Sequence, residues 1–545
     1  MVHHPRSKRC VSALGIGGAA LSLLAGCAVQ RYSPSAGPST PQSSLSTPGT
    51  PSAVATSVSV QPSSPAPSPT VTFAAADPAL AAKLAGLLTR AATPKPAPVP
   101  SVLSVVVADA SGGAPLYAKG AEAALIPAST QKVLTTMAAL SILGPQYRFS
   151  TTVSATATPV GGVLNGDLYL YGDGDPTTDE TDYVALANAV SAVGIKTVTG
   201  SVIVDASAFD DVDYNDNWGS PFPNVSRPPV EALTVSPATV SRLGSVRHVG
   251  SVEVSYAGAA TVGKPAVVTL KPASASAYVK IDNKSKTTKA GRNLISLARA
   301  PGSNTITVTG SLAVANPAVV WPMTVENPAL YAGAVFKSAL ASAGVTVKGA
   351  VVRGTKPADA TQLGAHQSAP LSQIVHDTLK ESNNGYAEHL VKALGRTPTS
   401  PGSWASGTAR VRDWLSSSGI PTDGIVLLDG SGFSGGNRVS ARTLVGALQY
   451  ARGQAWFNAF YDGLPVAGVD DVDVAGTLAK RLVGTPAAGN LRAKTGTLNV
   501  SRSLAGYVTG ADGRPYAFAI IGNDKLSSVL AYEDAVAILL ATWRS

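Results

Sequence analysis

The spacing of apolar residues changes twice along this chain, and that change limits the folds open to it more than any other feature. Leu80, Leu84, Leu87 and Leu88 follow Asp77-Pro78 at helical spacing, and a Pro-rich hinge then leads to a β-run over 104–108. From about residue 149 to 365 the pattern becomes short β-rich pieces, such as 201–205 and 266–270, separated by Gly, Pro and Asn. Helical spacing returns over 371–394, through Ile374, Leu379, Ala387, Leu390 and Val391, and ends near Gly395. A strand pair over 504–508 and 516–521, joined around Asp512-Gly513, follows Gly489, and an amphipathic helix over 526–543 comes last. This order predicts an α/β (α+β) sandwich, formed by 77–148 and 366–545 and interrupted by a β-rich insertion over 149–365.

With 545 residues and 45% hydrophobic content, the chain has room for about two to four domains with cores of their own. Its net charge of +9 includes Arg6, Lys8 and Arg9, so the part after Cys27 carries 39 basic against 33 acidic residues. That mild excess, without a Lys/Arg tract, argues against nucleic acid as a partner and suits an anionic envelope. Both cysteines, Cys10 and Cys27, lie in the first thirty residues, which excludes disulfide scaffolds, Cys-zinc sites and thiol nucleophiles from the body of the chain. The basic start and the apolar stretch over 11–25 read as an export signal over 1–27. Its end, Leu24-Ala25-Gly26-Cys27, resembles a bacterial lipobox, which makes Cys27 a candidate lipidation site; the other reading is a plain small-residue cleavage site. Of the 38 residues over 33–70, 26 are Ser, Thr or Pro and none is charged, so 28–76 reads as an extended tether with no core to bury.

Three short motifs carry chemistry. Ser129-x-x-Lys132 runs directly into Val133, Leu134 and Met137, so it sits at the start of an apolar helix with both side chains on one face. A serine hydroxyl is a poor nucleophile until a base takes its proton, and a buried lysine serves because desolvation lowers its pKa. The bland alternative makes Ser129 a helix cap and Lys132 a solvated side chain. Ser382-x-Asn384 and Lys494-Thr495-Gly496 follow, each of the three motifs occurring once and in the order that active-site serine enzymes require.

Together the three motifs resemble those of the penicillin-binding protein and serine β-lactamase superfamily. The 253-residue gap between Ser129 and Ser382 resembles its class C low-molecular-mass members, the D-alanyl-D-alanine carboxypeptidases and endopeptidases. The resemblance covers about 78–545 and extends to Gly172-Asp173-Gly174-Asp175-Pro176, Asp429-Gly430-Ser431-Gly432, Gly476-Thr477-Leu478 and Leu504-Ala505-Gly506-Tyr507. It implies a transpeptidase/β-lactamase-like sandwich of helices around an antiparallel sheet. The insertion would hold two nested modules, about 149–175 with 264–365, and 176–263. The implied catalytic residues are Ser129 as acylated nucleophile, Lys132 as general base and Ser382 as proton relay to the leaving amine. Asn384 would hold the substrate's peptide amide, Lys494 with Gly496 would complete the positive substrate cradle, and Thr495 and Thr497 would bind the terminal carboxylate. Backbone N–H groups of Ser129 and Thr497 would form the oxyanion hole. The middle motif reads Ser382-Asn383-Asn384 where many relatives have Ser-Asp-Asn.

What the resemblance implies is a D-Ala-D-Ala carboxypeptidase or endopeptidase of the bacterial envelope, acting on peptidoglycan stem peptides without a cofactor and acylated by β-lactams; the lipobox-like end at Cys27 adds a membrane contact through a lipid anchor. A serine β-lactamase and a non-catalytic envelope-binding lipoprotein are the rival readings. Gly432-Phe433-Ser434-Gly435-Gly436 also matches a nucleophile elbow, but the last histidine, His389, precedes Ser434, so the hydrolase order Ser, acid, His cannot arise. No His pair has metal-ligand spacing, and the acidic run Asp210, Asp211, Asp213, Asp216 has Phe222 where a calcium loop needs its last carboxylate.

Overall fold

Five strands build the central sheet: β1 (Leu103–Asp109), β2 (Pro115–Lys119), β3 (Arg492–Leu498), β4 (Ser501–Thr509) and β5 (Pro515–Gly522). In the computed structural model, which describes residues 77–90, 100–220, 223–241 and 244–545, they lie in the order β2-β1-β5-β4-β3, every neighbour antiparallel. The expectations for 1–27, Cys27 and 28–76 fall outside the described residues. Within them no helix is long and apolar enough to cross a membrane.

Period-two alternation puts an apolar side chain on both faces of the inner strands, so the sheet must be covered twice. Val105, Val107, Leu504, Phe518 and Ile520 pack against helix α1 (Pro78–Arg90) and the last helix, Leu526–Thr542, through Leu80, Leu84, Val529, Tyr532 and Val536. Val106, Ala505, Tyr507, Ala519 and Ile521 face the other way, onto α2 (Lys132–Ile142) and the helix Ala441–Arg452. The sandwich expected from the sequence is the observed architecture, with three strands rather than a pair after Gly489.

The helical spacing over 371–394 belongs to two helices, α3 (Leu371–Lys380) and α4 (Asn384–Leu394). Between them Ser382 adopts φ 59, a left-handed backbone that no α-helix continues through. Apolar spacing missed the break because both helices bury their faces in one core.

The insertion also differs from expectation. A five-stranded mixed sheet joins Val351–Arg353, Val202–Asp205, Leu168–Gly172, Ser150–Ala155 and Thr361–Gln367 in that order. Leu168–Gly172 pairs in parallel with Val202–Asp205, and a parallel pair needs a crossover, here the helix Glu180–Ala192. The outer module thus runs past 175 to include 202–205, and the strands over 251–324 form separate smaller sheets nested inside it. Part of the insertion belongs to the core of the sandwich: Ala208, Phe209, Trp218, Val230, Ala232 and Val249 pack with the residues of α2 to α4.

Candidate active site

Ser129 sits in a 3-10 turn, Ala128–Gln131, directly before α2. Ala128 has φ 48, a conformation that costs a residue with a side chain about 1–3 kcal/mol and persists only where its surroundings hold it. Three donors hold it: Ser503 Oγ and Thr130 Oγ1 donate to Pro127 O at 2.6 and 2.7 Å, and Ser501 Oγ donates to Ile126 O at 2.5 Å. The turn is thereby fastened to β4, with β3 alongside. Gly496 is the point of closest approach, since a Cβ there would lie 2.1 Å from Ser503 Oγ, 2.8 Å from Pro127 O and 3.1 Å from Ser129 N.

Lys132 is fully buried, and its Nζ donates to Ser129 Oγ at 3.1 Å, Asn384 Oδ1 at 2.7 Å and the Ser431 carbonyl at 2.9 Å. Burial brings its pKa down to about 7 against the pull of Glu388 and Asp429. Lys494, equally buried, donates to Ser382 Oγ at 2.9 Å and to Thr495 O at 2.8 Å. Burial first, and the Lys132 charge second, hold it well below the ordinary lysine range. The structure thus joins Lys132 to Ser129 and Asn384, and Lys494 to Ser382, in two hydrogen-bonded sets. Ser129, Ser382, Thr495, Gly496 and Thr497 line a common cavity of about 420 Å³ together with Thr477, Arg481, Arg502, Leu530 and Glu533.

Asn384 is engaged at both ends, for its Nδ2 donates to Ser226 O at 2.8 Å. Asn383, the position that varies, caps α4 through Oδ1 and donates Nδ2 to Arg247 O at 2.9 Å, so it is a structural tie to the insertion.

Several residues with no role assigned in the sequence reading support this group. Glu388 on α4 accepts from the backbone N–H groups of Gly430 at 2.9 Å and Ser431 at 2.8 Å and from Trp404 Nε1 at 2.8 Å. Burial, helped by Asp429, pushes its carboxyl up to about 7 while those donors work the other way. Asp429 accepts from Trp218 Nε1 at 2.9 Å, Gly432 N at 2.8 Å and Ser434 N at 2.6 Å. Ser434 itself is buried, with Oγ accepting from Gly436 N, which makes 432–436 a loop rather than a nucleophile elbow. Arg481 is clamped by Glu533 at 2.6 Å and Asp534 at 2.5 Å, and these carboxylates raise its pKa although burial opposes them. Thr477 Oγ1 lies 3.0 Å from Thr495 Oγ1. The segments holding Asp429 and Thr477 were visible as part of the resemblance, whereas Glu388, Arg481 and Arg502 had no local signature.

Known proteins resemble this chain in sequence and in fold. A D-alanyl-D-alanine carboxypeptidase of Actinomadura sp. (strain R39) is 42% identical over 448 residues, 81% of this chain and 82% of its own length. Carboxypeptidase DacB of Mycolicibacterium smegmatis is 28% identical over 473 residues, 84% of each chain. The crystal structure of penicillin-binding protein 4 (dacB) from Haemophilus influenzae superposes with a TM-score of 0.70 at 24% identity, covering 85% of this chain and 99% of that one. The same protein is also known in complex with a β-lactam. Residues 85–542 match a single family over nearly all of the sandwich and its insertion, and the chain belongs to that family, the D-Ala-D-Ala carboxypeptidase 3 (S13) hydrolases.

Proposed function

We propose that this D-Ala-D-Ala carboxypeptidase cleaves the terminal bond of peptidoglycan stem peptides through an acyl-enzyme on Ser129. The observation that carries the assignment is Lys132 Nζ, buried and 3.1 Å from Ser129 Oγ with a pKa brought down to about 7, which makes a neutral amine available near neutral pH. That amine takes the Ser129 proton as Oγ bonds to the carbonyl carbon of the penultimate D-Ala, and the resulting ammonium donates to Asn384 Oδ1 and Ser431 O. Because Lys494 donates to Ser382 Oγ, the Ser382 hydroxyl proton is directed elsewhere, towards the leaving nitrogen. The C–N bond breaks and D-Ala departs as the amine, the proton taken up by Lys132 makes good the one Ser382 gave, and water then hydrolyses the Ser129 ester, freeing the shortened peptide's carboxyl group and restoring the Ser129 hydroxyl.

Thr495 and Thr497 line the end of the cavity that would take the terminal carboxylate, with Arg502 on the same wall, while the charge of Arg481 is offset by Glu533 and Asp534. Asn384 reaches the substrate amide by exchanging the Ser226 carbonyl for it. β-Lactams acylate Ser129 by the same attack, in keeping with the β-lactam complex of the Haemophilus influenzae protein. The N-terminal reading adds export to the envelope, with Cys27 lipidated and 28–76 as the tether.

The test is the intact mass of the protein after incubation with benzylpenicillin. One stable penicilloyl adduct on the wild type and none on Ser129→Ala is the expected result. Adduct on both forms would overturn the assignment of Ser129, and rapid drug hydrolysis without lasting adduct would reassign the chain as a β-lactamase.

A further inference from the structure

The nested module over 251–324 carries eight Lys or Arg against two acids, Glu253 and Asp282, while the rest of the chain after Cys27 holds 31 basic and 31 acidic residues. The entire positive excess of that part of the protein is therefore concentrated in one small module, distinct from the buried lysines of the active site. Most of its exposed charges form a row, with exposed Lys271 and Arg292 outside it. Lys280, Lys284, Lys286 and Lys289 lie along one extended segment and all are exposed, while Ser285 and Thr287 between them are buried. The inward pair is fixed by hydrogen bonds: Ser285 Oγ accepts from Ala266 N at 2.9 Å and Thr287 Oγ1 from Ala259 N at 3.0 Å. Thr287 N also donates to Lys264 O at 2.7 Å, which sets exposed Lys264 beside Lys286. At about 3.3 Å per residue, 280–289 spans about 30 Å. Among the described residues Lys284 alone of the five has a carboxylate partner, the half-exposed Asp282 at 2.6 Å.

We propose that this row is a docking track for a linear polyanion of the cell envelope, a polymer with phosphodiesters along its backbone. Several features favour that partner. The charges are ammonium groups, which meet phosphate as point charges, rather than the planar forks that suit carboxylates. They are strung along a line rather than clustered round a pocket, so the gain comes from releasing many counterions from a polymer of repeating charge. No apolar side chain of 280–289 is exposed, so the row has nothing to insert into a bilayer. Such a track would hold the enzyme against the wall while leaving its catalytic cavity free.

The test titrates the full-length protein with soluble poly(glycerol phosphate) and, separately, with phosphatidylglycerol vesicles, at 50 and 200 mM NaCl. With four or five ammonium groups engaged, polymer affinity falls on the order of 10²-fold between the two salts. Replacing Lys264, Lys280, Lys286 and Lys289 together by Gln weakens polymer binding at least about 10-fold at the lower salt, and replacing them by Arg preserves it. Acylation by benzylpenicillin and the melting temperature stay as in the wild type for both variants. Equal polymer binding by the wild type and the Gln variant would overturn the proposal. So would a Gln variant that loses vesicle binding alone, which would assign the row to lipid. A Gln variant that self-associates yet still binds polymer would make the lysines guards of an exposed strand.

Discussion

Lys132 is held between opposing effects. Burial lowers its pKa to about 7, and the nearby Glu388 and Asp429 charges keep it from falling further. As the base must be neutral, acylation by benzylpenicillin is expected to rise with pH through about 7 and level off above it, measured as the second-order acylation rate at constant ionic strength. Asn384→Asp sets a carboxylate against Nζ, 2.7 Å away in the wild type, which favours the ammonium. The limb then moves to higher pH and the rate at pH 7 drops; an unmoved limb would remove Lys132 as the titrating base. Lys132→Ala costs about 10²–10⁴-fold at every pH. The nucleophile and this base were legible because Ser-x-x-Lys at a helix start places both side chains on one face. That the amine also meets Asn384 and Ser431, 252 and 299 positions away, was beyond any local pattern.

Elements position these residues by fitting backbone to backbone. β3 approaches the Ser129 turn so closely at position 496 that only glycine fits. Gly496→Ala is expected to cost about 1–3 kcal/mol of stability from overpacking and to depress acylation much further than stability, because the strand is pushed off Ser129. A melting curve beside the acylation rate separates the two effects. α4 contributes from its second turn, where Glu388 holds the N–H groups of Gly430 and Ser431 and thereby aims the Ser431 carbonyl at Lys132. Glu388→Gln removes a charge that raises the Lys132 pKa, so the acylation limb should shift to lower pH, opposite to Asn384→Asp. The α3–α4 break was invisible to apolar spacing, since a left-handed residue leaves no mark on which faces are buried. A Ser382 inside a continuous helix could not meet Lys494.

At the scale of the whole molecule, the insertion is part of the active site's support as well as an appendage. Trp218 lies in it, yet packs in the peptidase core and donates to Asp429, which in turn orders the loop beneath Lys132. Trp218→Phe keeps most of the packing and removes one of the two donors to Asp429 Oδ2, leaving only Ser434 N, so a loss of about 1–3 kcal/mol in stability is expected, with slower acylation. Unchanged denaturant midpoint and acylation rate would show that the loop is held without the indole. The sequence by itself determined the sandwich, because alternating and helical apolar patterns commit each segment to a buried face. It also determined the identity of the three motifs, because nucleophile, base and cradle need particular side chains at short, local spacing. Only the tertiary structure decided the nesting of the insertion, the break that exposes Ser382, and the network of Glu388, Asp429 and Trp218. These depend on pairings between residues far apart in the chain, and a register or a parallel crossover is chosen by how whole faces pack, which no window of neighbouring residues contains.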